Sequence, residues 1–330
     1  GDMVMKKAVK KAVGVAAGAG LGYLVMGELI YEAVLNIKVN GVINKTGLFD
    51  KPEEKEFYDN CKVYQDSLKW FDSLGIADTV IPSRIGKDTK AKVILADEET
   101  GKWAIVIHGY TSSPRGMAHY AWKYHTMGFN VVMPHMVGHG PDNRSHCSMG
   151  YYDRFIILDW IDYIVGLDPK AKILMHGVSM GSATTMLVTG EDLPSNVVAA
   201  VADCGYTNCW DEYASQMKAM FHLPLFPFLN SANTVSKLRK NFDFRDCSPI
   251  DAVAHSKTPT FFVHGDSDTF VPYSMMKPLY EACSAPDKEM LTVPKAFHAN
   301  SAFEDTELYW NKVTAFLDKY FKEDKVAATA

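Results

Sequence analysis

The pentapeptide Gly177-Val178-Ser179-Met180-Gly181 holds one serine between two glycines, directly after a short apolar run from Ala171 to Met175. A serine hydroxyl is a weak nucleophile at neutral pH and needs a neighbouring base, usually a histidine held by a carboxylate. The chain offers both further on. "VHGDSDTFVP" carries Asp266 and Asp268 after one β-rich run, and "VPKAFHANS" carries His298 after the last one. Asp268 lies farther into its loop and is the expected orienting acid. Asp266 is expected to form a turn by bonding the backbone. The expected catalytic set is therefore Ser179 as nucleophile, His298 as base and Asp268 as acid. Acyl transfer also needs two N–H donors for the oxyanion. Met180, next to the serine, should supply one, and Tyr110 in "HGYTSSP" the other, with its ring free to line an acyl pocket. His108 is expected to fix that loop by hydrogen bonds. His135, His139 and His146 form no HExxH-type pattern, so neither a metal nor a cofactor is assigned.

These residues need a scaffold that brings distant loops to one edge. Short β-rich runs are read at Thr79–Ser83, Ala91–Ala96, Trp103–His108, Asn130–Pro134, Ile173–His176, Val197–Ala202, Thr260–His264 and Met290–Val293. Helical periodicity is read over Met117–Met127, Tyr152–Val165, Ser182–Gly190, Tyr273–Cys283 and Leu308–Phe321. The first strands follow one another too closely for an intervening helix, whereas the later ones are separated by helices, as parallel pairing requires. The expectation is an α/β protein: a mostly parallel eight-stranded sheet with an antiparallel start and helices on both faces. Ser179 would then sit on a tight strand-to-helix turn, where Gly177 and Gly181 avoid clashes, at the positive end of a helix dipole. One connection, residues 204–257, is too long for a simple loop. Its very apolar part, "MKAMFHLPLFPFLNSANTVSKLRK", is expected to form a small helical cap, with Met217, Phe221 and Phe226 contacting substrate.

Composition narrows the partners. With 330 residues, 47% of them hydrophobic, the chain can bury a large core, and 34 basic against 39 acidic residues leave a formal charge of −5 without long runs of one sign. Nucleic acid is not an expected partner. The six cysteines lack zinc-site spacing and are expected to be mostly free buried thiols, a Cys204–Cys209 bridge being the one exception considered.

The amino terminus stands apart. Lys6, Lys7, Lys10 and Lys11 precede an uncharged run from Ala12 to Gly27, and Gly14, Gly18 and Gly22 fall on one helical face where another helix could approach. Three readings stay open: a signal-anchor helix leaving the catalytic part extracytoplasmic, a cleaved signal peptide, and a soluble helix docked on its own domain, then cytoplasmic, or on a partner. Residues 1–40 are read as this helix, 41–78 as a linker and a helix running to about Leu74. Residues 79–203 and 258–330 are read as the core, and 204–257 as the insertion.

Taken together, "HGYTSSPRGM", "GFNVVMPHMVGHG", "GVSMGSAT", "HGDSDTFVP" and "FHANS" resemble the α/β-hydrolase superfamily over roughly Thr79 to Phe321. Within it the chain is most similar to bacterial serine aminopeptidase-like and lysophospholipase-like hydrolases, many with an amino-terminal anchor helix. The order Ser179, Asp268, His298 is the order such a triad follows. The chain departs from the resemblance at "PHMVGHG", where His135 and Val137 replace an aspartate and an arginine, so no charged-substrate role is carried over to that loop. The leading expectation is hydrolysis of small-molecule or lipid-like carboxylic esters through an acyl-enzyme, with membrane contact through residues 6–35. A serine peptidase, an acyltransferase and a non-catalytic binding module are the alternatives.

Overall fold

Runs such as "KWAIVI", "VVAAVAD" and "TFFVHG" are apolar on both alternating faces, the pattern of strands covered on two sides. They form the centre of an eight-stranded sheet in the order β1-β2-β4-β3-β5-β6-β7-β8. The strands are β1 (Asp78–Ile81), β2 (Thr89–Ile94), β3 (Lys102–Ile107), β4 (Asn130–Pro134), β5 (Lys172–Val178), β6 (Val197–Asp203), β7 (Thr260–Gly265) and β8 (Lys288–Val293). All eight expected strands are present, and every boundary falls within two residues of its expected place. The β1–β2 and β2–β4 pairs are antiparallel, and the remaining pairs are parallel. The structure is a computed structural model that describes residues 2–45, 52–141 and 146–322, with side chains described from Gly18 onward except that of residue 44.

Two large clusters of buried side chains flank the sheet, with a smaller third around Phe262 and Met276, and the strand period of two divides the β3 side chains between the large ones. Trp103, Ile105 and Ile107 of β3 face α6 (Asp153–Leu167) and α7 (Met180–Thr189). Ala104 and Val106 face the layer of α4 (Lys62–Ser73), α5 (Ala118–Thr126) and α13 (Thr306–Phe321). β3 and β5 are neighbours, but the chain leaves β3 toward β4 on one side and β5 toward β6 on the other. Sheets of this type place ligands outside the strand carboxyl ends at such a switch point.

The amino-terminal helix α1 (Asp2–Leu35) packs its second half onto the protein. Tyr31 and Leu35 are buried in the core beside α6 and α7. The contact with α9 (Leu225–Lys240) is so close that a Cβ on Gly27 would lie 2.4 Å from the Ser231 carbonyl oxygen. Arg239 of α9 pairs with Glu28 and, at 2.7 Å, with Glu32. Helix-to-helix approach was expected along Gly14, Gly18 and Gly22. Among the described residues Gly18 and Gly22 instead meet nothing within 4 Å, because the packed face of the helix is one set by Gly27, Tyr31 and Leu35. Gly14 and the four lysines lie outside the described side chains.

The stretch expected as a linker contains α2 (Ile37–Asn44) and α3 (Pro52–Asn60), with residues 46–51 outside the described residues. Asn36 caps α2 by accepting from the Lys38 and Val39 amides, a local bond that the polar look of the segment concealed. Residues 204–257 form α8 (Cys209–Gln216), one π turn (Met217–Phe221), α9 and α10 (Pro249–Val253). All six cysteines are free. Cys204 follows β6 while the amide of Cys209 is drawn to the Cys247 carbonyl, so the bridge considered above does not form.

Candidate active site

β5 ends at Val178, and α7 begins at Met180. Ser179 alone makes the turn, with φ 58 and ψ −120, a conformation non-glycine residues rarely adopt and one that marks stored strain. Glycines on either side make it feasible. A Cβ on Gly177 would lie 2.0 Å from the Gly181 carbonyl oxygen, and one on Gly181 would lie 2.1 Å from that of Ile107. The serine amide is tied to the Asp203 carbonyl at 2.9 Å, which fixes the turn against β6.

The three residues expected to work together meet at this edge. Ser179 Oγ lies 2.8 Å from His298 Nε2, and His298 Nδ1 lies 2.8 Å from Asp268 Oδ2. Since the carboxylate can only accept, Nδ1 carries the proton and Nε2 is left to accept from the serine hydroxyl. Asp268 is buried and receives four N–H groups. Oδ2 also accepts from His264 Nε2 at 3.1 Å, and Oδ1 accepts from the amides of Phe270 (2.9 Å) and Val271 (3.0 Å). Burial alone would raise its pKa, but His298 and the bonds from both imidazoles outweigh burial and hold it down at about 2. Asp266 sits outside this group. Its exposed carboxylate accepts from the Lys295 amide at 2.7 Å, a backbone bond as expected, made to the following loop rather than within its own turn.

Two loops carry the residues expected to supply the oxyanion donors. Met180 opens α7, so its amide has no carbonyl one turn earlier in the helix. In the loop after β3, a Cβ on Gly109 would come 3.2 Å from the Ser179 Cβ, which packs the residue before Tyr110 against the serine. The amides that follow Tyr110 are committed, Thr111 to His139 Nε2 and Ser112 to the Gly109 carbonyl. His108 holds the same loop. Its Nδ1–H donates to the Gly109 carbonyl at 2.8 Å while Nε2 accepts from the Met136 amide. Burial, followed by the neighbouring His139, keeps its pKa well below the usual value, consistent with this neutral ring. The Tyr110 hydroxyl donates to the Val34 carbonyl of α1, so the ring is anchored to the amino-terminal helix.

Of the residues expected to contact substrate, Tyr110 and Met217 belong to the apolar cluster that also holds Met180, Cys147 and Phe270. Phe221 and Phe226 are instead on the surface, Phe226 71% exposed and set against Tyr23 of α1 with ring centroids 6.4 Å apart. Phe221 ends a π turn and Phe226 is non-helical at the start of α9, backbone geometry that residue type could not reveal. In the "PHMVGHG" loop, His135 lies 3.2 Å from Asp78, and the Val137 amide donates to the buried Asp153 carboxylate.

Several neighbours were not anticipated. His264 is the second ring donor to Asp268, and the Phe270 ring lies 4.9 Å from that of His298. Gln216 of α8 donates to the Phe270 carbonyl and, at 3.0 Å, to Glu212. His139 orients the Tyr110 loop. Two of these had a sequence signal: His264 closes a strand four residues before the acid, and His139 lies in a glycine-flanked turn. Gln216 had none, since its partner is 54 residues away. Glu212 itself is buried with Oε2 unpartnered, and burial pushes its carboxyl up to about 8 despite the Gln216 bond. The Cys204 thiol lies within 4.8 Å of the Asp268 and His298 ligand atoms. Burial, then the charges of Asp203 and Asp268, push its pKa well above the ordinary value, so it stays a neutral thiol.

This sheet order, with a serine on the turn after β5, defines an α/β hydrolase. The chain belongs to the prolyl oligopeptidase family, which residues 157–324 match. It is 29% identical to YqkD of Bacillus subtilis, an uncharacterized protein, over 77% of this chain and 83% of that one. It is 25% identical to the lysophosphatidylserine lipase ABHD12 of Xenopus tropicalis over 78% of this chain and 68% of the lipase. Among solved structures, the esterase Pf2001 of Pyrococcus furiosus superposes with a TM-score of 0.62 at 21% identity, covering 76% of this chain and 95% of the esterase.

Proposed function

We propose that this chain hydrolyses carboxylic esters with an apolar acyl or alcohol group, using Ser179 as nucleophile, His298 as general base and Asp268 as orienting acid. The observation that carries the reading is the continuous relay from Ser179 Oγ through both ring nitrogens of His298 to a carboxylate that is ionised at working pH. His298 Nε2 takes the hydroxyl proton as Ser179 Oγ bonds to the acyl carbon. The amides of Tyr110 and Met180 hold the oxyanion. The imidazolium then gives its proton to the departing alcohol, and a water activated by the same ring releases the acid.

Esters fit better than peptides because the wall beside the serine is apolar. Glu212, buried and near enough to feel the charge of Asp268, has its carboxyl pushed up to about 8, which favours the neutral form at pH 7 over an anion for a substrate amino terminus. The names of the Pyrococcus esterase and the Xenopus lipase support the same substrate class. The family name supports a peptidase, and turnover of aminoacyl anilides above that of p-nitrophenyl esters would favour that second reading. The direct test is labelling by a fluorophosphonate with peptide mapping, beside kinetics of Ser179→Ala. The label should fall on Ser179, and kcat should drop by a factor on the order of 10⁶. Residual activity above about one per cent would remove Ser179 from this role.

A further inference from the structure

Two apolar surfaces lie side by side on the outside of the molecule. On α1, Leu21, Leu24, Val25 and Leu29 are exposed, Leu21 and Leu29 by 66% and 68%. On the insertion, every residue from Lys218 to Phe226 is exposed, including Met220, Phe221, Leu223 and Leu225. The two surfaces are continuous. Tyr23 faces Phe226, and its hydroxyl bonds Thr234 of α9 at 3.2 Å. A soluble monomer rarely shows so large an apolar patch unless it meets a partner or a membrane.

The chemistry around the patch selects the occupant. No Asp or Glu occurs between Gln216 and Phe242, whereas Lys218 and His222 project from the loop itself. On α1 the uncharged run from Ala12 to Met26 is preceded by four lysines in sequence. Apolar side chains fringed by bases suit an anionic phospholipid surface. Gly18–Leu35 is the one stretch among the described residues long and apolar enough to cross a bilayer. Its second half, however, is committed to α9 and the core through Gly27, Tyr31 and Leu35, and Glu28 and Glu32 pair with Arg239. Ahead of Gly27 the uncharged run is fifteen residues, Ala12 to Met26. At 1.5 Å per residue it spans roughly 22 Å, short of the ~30 Å hydrocarbon core.

We infer that α1 and the Lys218–Phe226 loop form a single bilayer-contact face, with the loop dipping into the membrane interface beside the helix rather than the helix anchoring alone. The face adjoins the proposed site. Gln216 and Met217, immediately before the loop, touch the Phe270 carbonyl and the site's apolar cluster, and the Phe270 ring lies on His298. The inference rests on the ester reading only in making membrane-dissolved esters the substrates served. Vesicle binding itself does not depend on it.

The test uses the full chain with phosphatidylcholine vesicles containing phosphatidylglycerol. One variant replaces Met220, Leu223 and Leu225 by Ser, and a second replaces Leu21, Leu24 and Val25 by Ser. Each should weaken co-sedimentation with vesicles at least about tenfold, the loss expected for several buried apolar side chains. Turnover of water-soluble p-nitrophenyl acetate should match wild type, while hydrolysis of a long-chain ester dispersed in the vesicles should fall with binding. Unaltered vesicle affinity in the loop variant would overturn the inference, since the helix would then act alone. So would a wild-type chain that ignores vesicles and forms a dimer that both variants dissociate. Loss of vesicle binding with no ester turnover in wild type would keep the membrane face and sink the proposed function instead.

Discussion

Replacing Asp268 by Asn is the sharpest test of how the site is built, because the side chain is surrounded by donors. Its two oxygens receive N–H groups from His298, His264, Phe270 and Val271. Asparagine keeps one acceptor oxygen and turns the other into a donor. With the new NH₂ toward the rings, His298 loses its acceptor and is driven to the tautomer protonated at Nε2, which cannot take the serine proton. With the NH₂ toward the backbone, the Phe270 and Val271 amides are orphaned at about 1–3 kcal/mol each, and the loop carrying the acid loosens. The first arrangement predicts a fall in kcat of roughly 10⁴ with KM little changed, about 5.5 kcal/mol of transition-state stabilisation. Stability responds to pH as well. Because the carboxyl is depressed from 3.8 to about 2, its contribution is complete above the unfolded value and is lost as pH falls through about 2. That contribution is worth roughly 2 kcal/mol. The assay is kcat and KM for p-nitrophenyl butyrate beside acid denaturation, with Asp266→Asn as control. Among the described residues the exposed Asp266 holds the Lys295 amide and the Ser267 hydroxyl, so its variant should stay within about 0.5 kcal/mol of wild type. An Asp268→Asn enzyme retaining more than about a tenth of wild-type kcat, or an inactive Asp266→Asn enzyme, would refute the assignment.

Glu212→Gln should change the pH dependence of folding. The buried carboxyl is raised from 4.5 to about 8, so the stability it contributes is complete below 4.5 and is lost as pH rises through about 8. At about pH 9 the Gln variant should be the more stable by roughly 3–5 kcal/mol, with little difference near pH 4. Urea melts at the two pH values check this, and a difference equal at both would exclude a titrating group. Gly27→Val should push α1 off α9, since its Cβ would overlap the Ser231 carbonyl. A loss of about 1–3 kcal/mol and faster proteolysis near Asn36 are expected. An unchanged melt would mean that the helix is not packed there.

The sequence by itself determined the sheet and singled out the candidate site residues that the fold brings together. Strands buried on both faces are written as unbroken apolar runs, and Gly177 and Gly181 mark a turn that admits no Cβ, so Ser179 was legible from its immediate neighbours. Asp268 and His298 were legible because both follow late strands whose carboxyl ends share one edge. Asp266 and Asp268, two residues apart, were separable by loop depth alone. What only tertiary structure decided are contacts between segments distant in the chain. His264 as second donor to Asp268, the Gln216 bond to Phe270 and the Tyr110 bond to Val34 depend on where loops cross, which no local pattern encodes. The insertion shows the division most plainly. Its apolar composition was evident, but composition does not say which way a side chain faces. The same run places Met217 in the core and leaves Phe226 in the open, because one π turn and a non-helical residue redirect the backbone between them. The amino-terminal helix is the matching case. Its apolar length set what it could do, and the complementary surface of α9, with Ser231 against Gly27 and Arg239 against two glutamates, decided that half of it belongs to the folded protein.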